Sequence, residues 1–172
     1  MDFLTLAKNR FSVRKFDSTP VEREKIDKII MAGHIAPTAC NIQPQRILVL
    51  ESDSSLSALK ECTRCHFDAP LAMLVCYDKD ECWTRKYDGS LSGEIDASIV
   101  TTHMMLEASS LGIGSTWVMH FNPAKVVEAF NIPKNLVPTA ILVMGYPAPD
   151  AVPLDLHDKK RPLDEIVHYN EF

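Results

Sequence analysis

The residues with the clearest chemical potential lie near the start of the chain. "NRFSVRKFD" sets Arg10, Ser12 and Arg14 at alternate positions, with Lys15 beside them. In an extended segment alternate side chains share a face, so two guanidinium groups and a hydroxyl would point one way. That is the equipment of a phosphate clamp, because hydrogen bonds from fixed cations are about twice as strong as neutral ones. Far along the chain, "HDKKRP" supplies Lys159, Lys160 and Arg161, which could close on the same anion. Taken singly, each patch would read as solvated basic surface.

A second group is built on sulfur. Cys62 and Cys65 form a C-x-x-C followed by His66, and Cys76 and Cys82 could complete four zinc ligands, although they are not spaced as a second C-x-x-C. The pair could instead be redox active, or these could be thiols packed as small hydrophobes near a helix end. Five cysteines, with Cys40 the fifth, make an odd count; without a secretory signal this favours reduced thiols, and haem attachment at "CTRCH" is not expected. Nucleotide signatures are weak. There is no G-x-x-x-x-G-K-[ST], and "LGIGSTW" lacks the third glycine and the preceding strand of a dinucleotide-binding turn.

These groups need elements to position them. "DFLTLAKNR" reads as a first helix. "STPVEREKIDKIIMAGHIA" reads as a second, capped by Ser18 or Thr19 with Pro20 in its first turn and Ile26, Ile29 and Ile30 on one face. "APTACNIQP" is a proline-bracketed loop. "RILVLE", "APLAMLVCYD" and "TAILVMGYPA" read as strands, and "IGSTWVMHF" as strand-like. "SLSALKEC", "GEIDASIVTTHMMLEASSLG" and "PAKVVEAFNI" read as helices, the long one ended by Gly112. The tail from Ala151 is polar and punctuated by prolines. Helices mixed with short buried strands predict an α/β or α+β sandwich around one sheet.

Composition narrows the function classes. With 172 residues, 46% hydrophobic and 24% charged, the sequence fits one domain over residues 1–172. A formal net charge of −5 argues against nucleic acid or an anionic membrane as partner, so local cations suggest a small anion. The first residues form neither a signal-peptide core nor a spanning helix, and a cytoplasmic protein is expected.

Five segments in order, "RFSVRKFDSTPV", "APTACNIQPQRILVL", "LEASSLGIGSTWVMHF", "ILVMGYP" and "KKRPLDEIV", resemble the FMN-dependent nitroreductase family over nearly the whole chain. The resemblance implies an α+β fold with a mostly antiparallel sheet flanked by helices. It also implies an intertwined homodimer with one FMN at each subunit boundary, and two-step transfer from NADH or NADPH through FMN to a nitroaromatic, quinone or similar flat acceptor. Carried over by position, it assigns Arg10, Ser12 and Arg14 to the phosphate, with Lys159 and Arg161 returning from the tail, and Phe11 to the cofactor site. Pro37, Thr38 and Ala39 would lie along the flavin, from the partner subunit, and the amides of Asn41 and Gln43 near its ring or ribityl chain, where amides can both donate and accept. Trp117, Val118, Met119 and His120 would pass beside the ring with their backbone amides near its reactive edge.

Each assignment has a plainer counterpart. Asn41 and Gln43 could be turn formers, Trp117 core, and Met104, Met105 and Leu106 helix packing. His120 departs from the small residue usual in the family, and Gln45 from the usual tryptophan; both bear on the acceptor. His120 could be a hydrogen-bonded or solvent-facing side chain, a substrate contact or a proton donor. No obligatory catalytic side chain is expected, since stacking geometry is the main demand of hydride transfer. Without long helical insertions, the mouth of the site should be open. Two other readings share these residues: a flavin-storage or sensing protein without turnover, and a thiol or zinc protein on Cys62 and Cys65.

Overall fold

The computed structural model describes residues 2–172. Helix α1 spans Phe3–Asn9, capped by the Asp2 carboxylate on the Thr5 N–H (3.1 Å), and α2 spans Arg23–His34. A short 3-10 turn, Ala39–Asn41, leads into β1, Gln45–Leu50. Helix α3, Asp53–Cys62, starts at a reciprocal cap between Ser52 and Ser55, and β2 is Leu71–Asp78. The long α4 is Gly93–Ser110, β3 is Gly114–Val118, α5 is Pro123–Ala129 and β4 is Leu136–Gly145. A second 3-10 turn, Leu163–Glu165, is the regular structure of the tail.

The four strands form one antiparallel sheet in the order β1-β2-β4-β3. The fold is therefore α+β. Both central strands are apolar throughout because both faces of the sheet are covered. Leu71, Met73, Val75, Leu142 and Met144 pack with Ile26 and Ile29 of α2 and Val100 and Met104 of α4. Ala72, Leu74, Cys76, Ile141 and Val143 pack on the other side with Leu59 of α3 and Val126 of α5. The period-two alternation of strand side chains sorts these residues to the two faces.

Several boundaries differ from the sequence reading. Helix α2 begins at Arg23, with neither Ser18 nor Thr19 as its cap, because the Thr19 N–H and hydroxyl both donate to Asp17 in a local turn. It ends at His34, since Pro37 disfavours a helical Ala36. Strand β4 starts at Leu136 and takes in Pro138, which falls at the register shift against Val75/Cys76 and outside the stretch paired with β3. A proline is tolerated at such an irregular position. Strand β3 stops at Val118, leaving Met119 and His120 beyond the sheet.

One close approach fixes the start of α4. A Cβ on Gly93 would lie 2.0 Å from the Tyr77 ring. Gly93→Ala is therefore expected to cost about 1–3 kcal/mol through overpacking, read as a lowered Tm in thermal unfolding.

Candidate functional site

The N-terminal segment is pinned to the edge of β3. Ser12 bridges Ser115 in parallel, the Val13 N–H donates to the Ser115 carbonyl (3.0 Å), and the Thr116 hydroxyl donates to the Val13 carbonyl (2.5 Å). Val13 is 2% exposed and anchors the segment. Gly114 makes room for it, since a Cβ there would lie 2.7 Å from Val13 Cγ2. With Val13 inward, half-buried Ser12 and exposed Arg14 fall on the outer side, as alternation predicts. Arg14 Nη1 donates to the Ser12 carbonyl at 3.0 Å. Arg10 is half-buried where α1 ends, beside a cavity of about 140 Å³ that Phe11 and Val13 also line.

The tail returns to this segment. His157 Nε2 lies 3.1 Å from the Lys8 carbonyl oxygen, and its ring meets that of Phe11 edge-on with centroids 6.4 Å apart. Lys15 pairs with Asp150 (2.5 Å), and Lys160 Nζ donates to the His157 carbonyl. Lys159 and Arg161 follow, both exposed; Arg161 sits 3.6 Å from Glu165. The two basic segments thus meet at His157, and neither Lys159 nor Arg161 has a described hydrogen bond or ion pair to Arg10 or Arg14.

Charge pairing is uneven along the chain. Lys28, Arg46, Lys60 and Arg85 each sit within 2.7 Å of a carboxylate. Among the described residues, Arg10, Arg14 and Lys159 have no such partner, and neither do several cations elsewhere, Arg64 and Lys125 among them. Uncompensated cations in an acidic chain fit an anion that comes from outside it.

The loop from Pro37 to Gln43 enters β1, at the opposite edge of the sheet. It is held in an unusual shape. Cys40, Asn41 and Gln43 have φ of 51°, 54° and 58°, a region costly for residues with a side chain. The restraint is polar: Ala39 N–H donates to Asp96 Oδ1 (2.9 Å), Gln43 N–H to Thr38 Oγ1 (3.0 Å), and Gln43 Nε2 to the Asn41 carbonyl (3.1 Å). Asp96, on α4 and 2% exposed, also accepts from Ser92 Oγ at 2.7 Å. Pro37 and Asn41 are exposed, and Thr38, Ala39 and Gln43 half-buried. Asn41 and Gln43 do act as turn formers here, whatever else their amides bind. Asp96 escaped the sequence reading because an acid in the first turn of a helix already has a role, complementing the helix dipole.

At the end of β3, Trp117 packs into the α2/α4 core and Val118 into the α3/α5 core. Val118 therefore presents only backbone outward. Met119 is 74% exposed and His120 is exposed. The His120 carbonyl accepts from Thr63 Oγ1 (2.5 Å), which brings the turn after α3 to the same place. Thr63 and Arg64 of that turn line a cleft of about 660 Å³ with His120, Phe121 and Lys125. No local pattern announced them. Their approach depends on a contact across 57 positions.

The cysteines do not assemble. Cys62 and Cys76 belong to the α3/α5 core and Cys82 to the α2/α4 core, so the sheet divides the would-be ligands. Among the described residues, no three His, Cys, Asp or Glu gather closely enough to hold a metal ion. Cys62 ends α3, at the negative pole of the helix, where a thiolate is disfavoured. Burial raises its thiol pKa, and pushes that of Cys76 up to about 11. Cys62 and Cys76 thus pack as core side chains.

Comparison with known proteins gives the family and the fold. A sequence profile described as the nitroreductase family matches residues 7–75 and 66–146. The chain belongs to the nitroreductase family. A protein of Methanothermobacter thermautotrophicus, provisionally named an NADH dehydrogenase/NAD(P)H nitroreductase, is 32% identical over 94% of this chain and 85% of its own length. The crystal structure of a nitroreductase family protein from Clostridium difficile 630 superposes with a TM-score of 0.95 at 45% identity, covering 100% of both chains. An FMN-dependent nitroreductase from Clostridium difficile R20291 matches with a TM-score of 0.81 at 26% identity, over 99% of this chain and 100% of that one. Among the described residues, no helix is long and apolar enough to cross a membrane.

Proposed function

We propose that this nitroreductase family member is an FMN-dependent NAD(P)H oxidoreductase that works as a homodimer. The observation that carries the reading is the separation of the site's two halves. Arg10, Ser12 and Arg14 lie along the outer edge of β3, whereas Pro37, Thr38, Ala39, Asn41 and Gln43 precede β1, four interstrand spacings or roughly 19 Å away. A second copy, turned by a two-fold axis, would place one half against the other. The surface is consistent with that. Ile95 of α4 is 63% exposed and lines an open groove with Ile99, Thr102 and His103, although other apolar residues of α4 already fill the core. A helix apolar on all sides is one that is buried on all sides.

The residues present fit FMN. Arg10, Ser12 and Arg14, with Lys159 and Arg161 of the tail, would hold its phosphate. Trp117 Nε1 and Gln45 Oε1 are buried without a described partner, as groups awaiting a heteroatom from a ligand or a partner chain would be. The backbone of Val118–His120 would face the ring, and the Pro37–Gln43 loop of the other subunit would cover it. When bound, FMN supplies a ring that accepts two electrons from a nicotinamide and gives them to a flat acceptor, a nitroaromatic or a quinone. The protein's own task is to hold a charged ester rigidly and leave one face of a planar group accessible. Exposed Met119 and His120 border that face.

Purified protein should be yellow, and NADH or NADPH should bleach it within seconds under anaerobic conditions. Double-reciprocal plots with a quinone should then be parallel. Protein that takes up FMN but stays yellow for minutes with either nucleotide would instead be a flavin store, and colourless protein that refuses FMN would overturn the assignment.

A further inference from the structure

The turn after α3 and the start of α5 build a cleft that the flavin reading does not use. Its walls are tied together without an ion pair: Thr63 Oγ1 donates to the His120 carbonyl (2.5 Å), Asn122 N–H to the Cys62 carbonyl (2.9 Å), and Lys125 Nζ to the Glu61 carbonyl (3.2 Å). Because Lys125 is held by a carbonyl, its charge is not compensated there. Arg64 is exposed and, among the described residues, has no ion pair. Of the other charged groups lining the space, Lys60 is tied to Asp68 at 2.6 Å, and Glu61 is the one carboxylate. His120 closes one side, and Phe121 and Pro123 add apolar wall.

We propose that this cleft, with Arg64 and Lys125 as its binding groups and His120 at its border, is a subsite for the anionic group, carboxylate or phosphate, of a molecule that exchanges electrons at the flavin. The proposal rests on the flavin reading above, which sets Met119 and His120 beside the ring. Two uncompensated cations in one concavity focus a positive potential against apolar walls, and a guanidinium matches the planar geometry of a carboxylate or the oxygens of a phosphate. The volume, about 660 Å³, is enough for a ring with a charged substituent. The anion could belong to either substrate: a carboxylate on the acceptor, or the phosphate that distinguishes NADPH from NADH. A neutral acceptor gains nothing from these cations, so selection for charge is the signature.

The test uses the flavin-loaded enzyme at low ionic strength. Rates are compared for 4-nitrobenzoate against 4-nitrobenzamide with a fixed reductant, and for NADPH against NADH with a fixed acceptor. Arg64→Gln and Lys125→Gln are each expected to lower one ratio of kcat/KM, carboxylate over amide or NADPH over NADH, by about tenfold, the size of one charge-assisted hydrogen bond. Added salt should shrink the same ratio in the unmodified enzyme. The ratio that moves identifies which substrate carries the anion. If neither ratio moves, or if Arg64→Gln instead lowers flavin content and so places Arg64 in the cofactor's own seat, the proposal is overturned. Unmodified protein that binds no flavin would sink the underlying reading, and the subsite with it.

Discussion

The double variant Arg10→Ala/Arg14→Ala is expected to purify folded and colourless. The segment carrying both residues is fixed by other atoms: the backbone of Val13 against Ser115, the Thr116 hydroxyl, and the buried Val13 side chain. Arg14 is exposed, and its one described bond reaches no further than the Ser12 carbonyl. Removing both guanidinium groups therefore takes little from the fold. In the site proposed above, it takes the cations from the phosphate. Hydrogen bonds to charged groups contribute about 1.5–3 kcal/mol each, so losing two should weaken FMN binding by roughly 100-fold or more. Titration of apoprotein with FMN by fluorescence quenching measures this directly, with an unchanged circular dichroism spectrum as the control for folding. A double variant that keeps wild-type affinity would place the phosphate elsewhere.

A comparably large effect is expected from a residue outside the surface of the site. Asp96→Ala leaves the Ala39 N–H and the Ser92 hydroxyl without their shared acceptor inside the protein. An unsatisfied buried donor costs about 1–3 kcal/mol and a half-buried one less, so the variant should lose about 2–5 kcal/mol of stability. The loss should not be uniform. Cys40, Asn41 and Gln43 occupy left-handed backbone conformations that relax once the loop is released, so amide exchange should accelerate in residues 37–43 before it does in the sheet. FMN affinity should fall with it, because the loop's amides would no longer be presented in one arrangement. Asp96→Asn keeps one acceptor oxygen and should fall between the two. Global destabilisation without selective exchange in the loop would make Asp96 an ordinary core residue.

The sequence disclosed chemistry where it was local. Arg10, Ser12 and Arg14 are readable together because strand alternation needs only their spacing, and the structure keeps that alternation through Val13. The apolar runs of β2 and β4 showed buried strands, although Pro138 hid the beginning of β4: a proline argues against a strand until the register shift opposite it is visible. Thr19 misled for a related reason. It has the right type to cap a helix, but Asp17, two residues earlier, takes both of its donors. What stayed hidden was non-local. Asp96 acts on a loop 57 positions away, and Arg64 reaches the end of β3 through Thr63. Similarly, C-x-x-C spacing says nothing about which side of a sheet Cys76 and Cys82 will face.

Helix α4 has a consequence for how this protein melts. On the homodimer proposed above, a lone chain would leave Ile95 and its neighbours wetted, so folding and association would draw on the same apolar area and become one equilibrium. The midpoint of thermal denaturation should then climb as the sample is concentrated and drop on dilution, as it would not for a protein that folds alone.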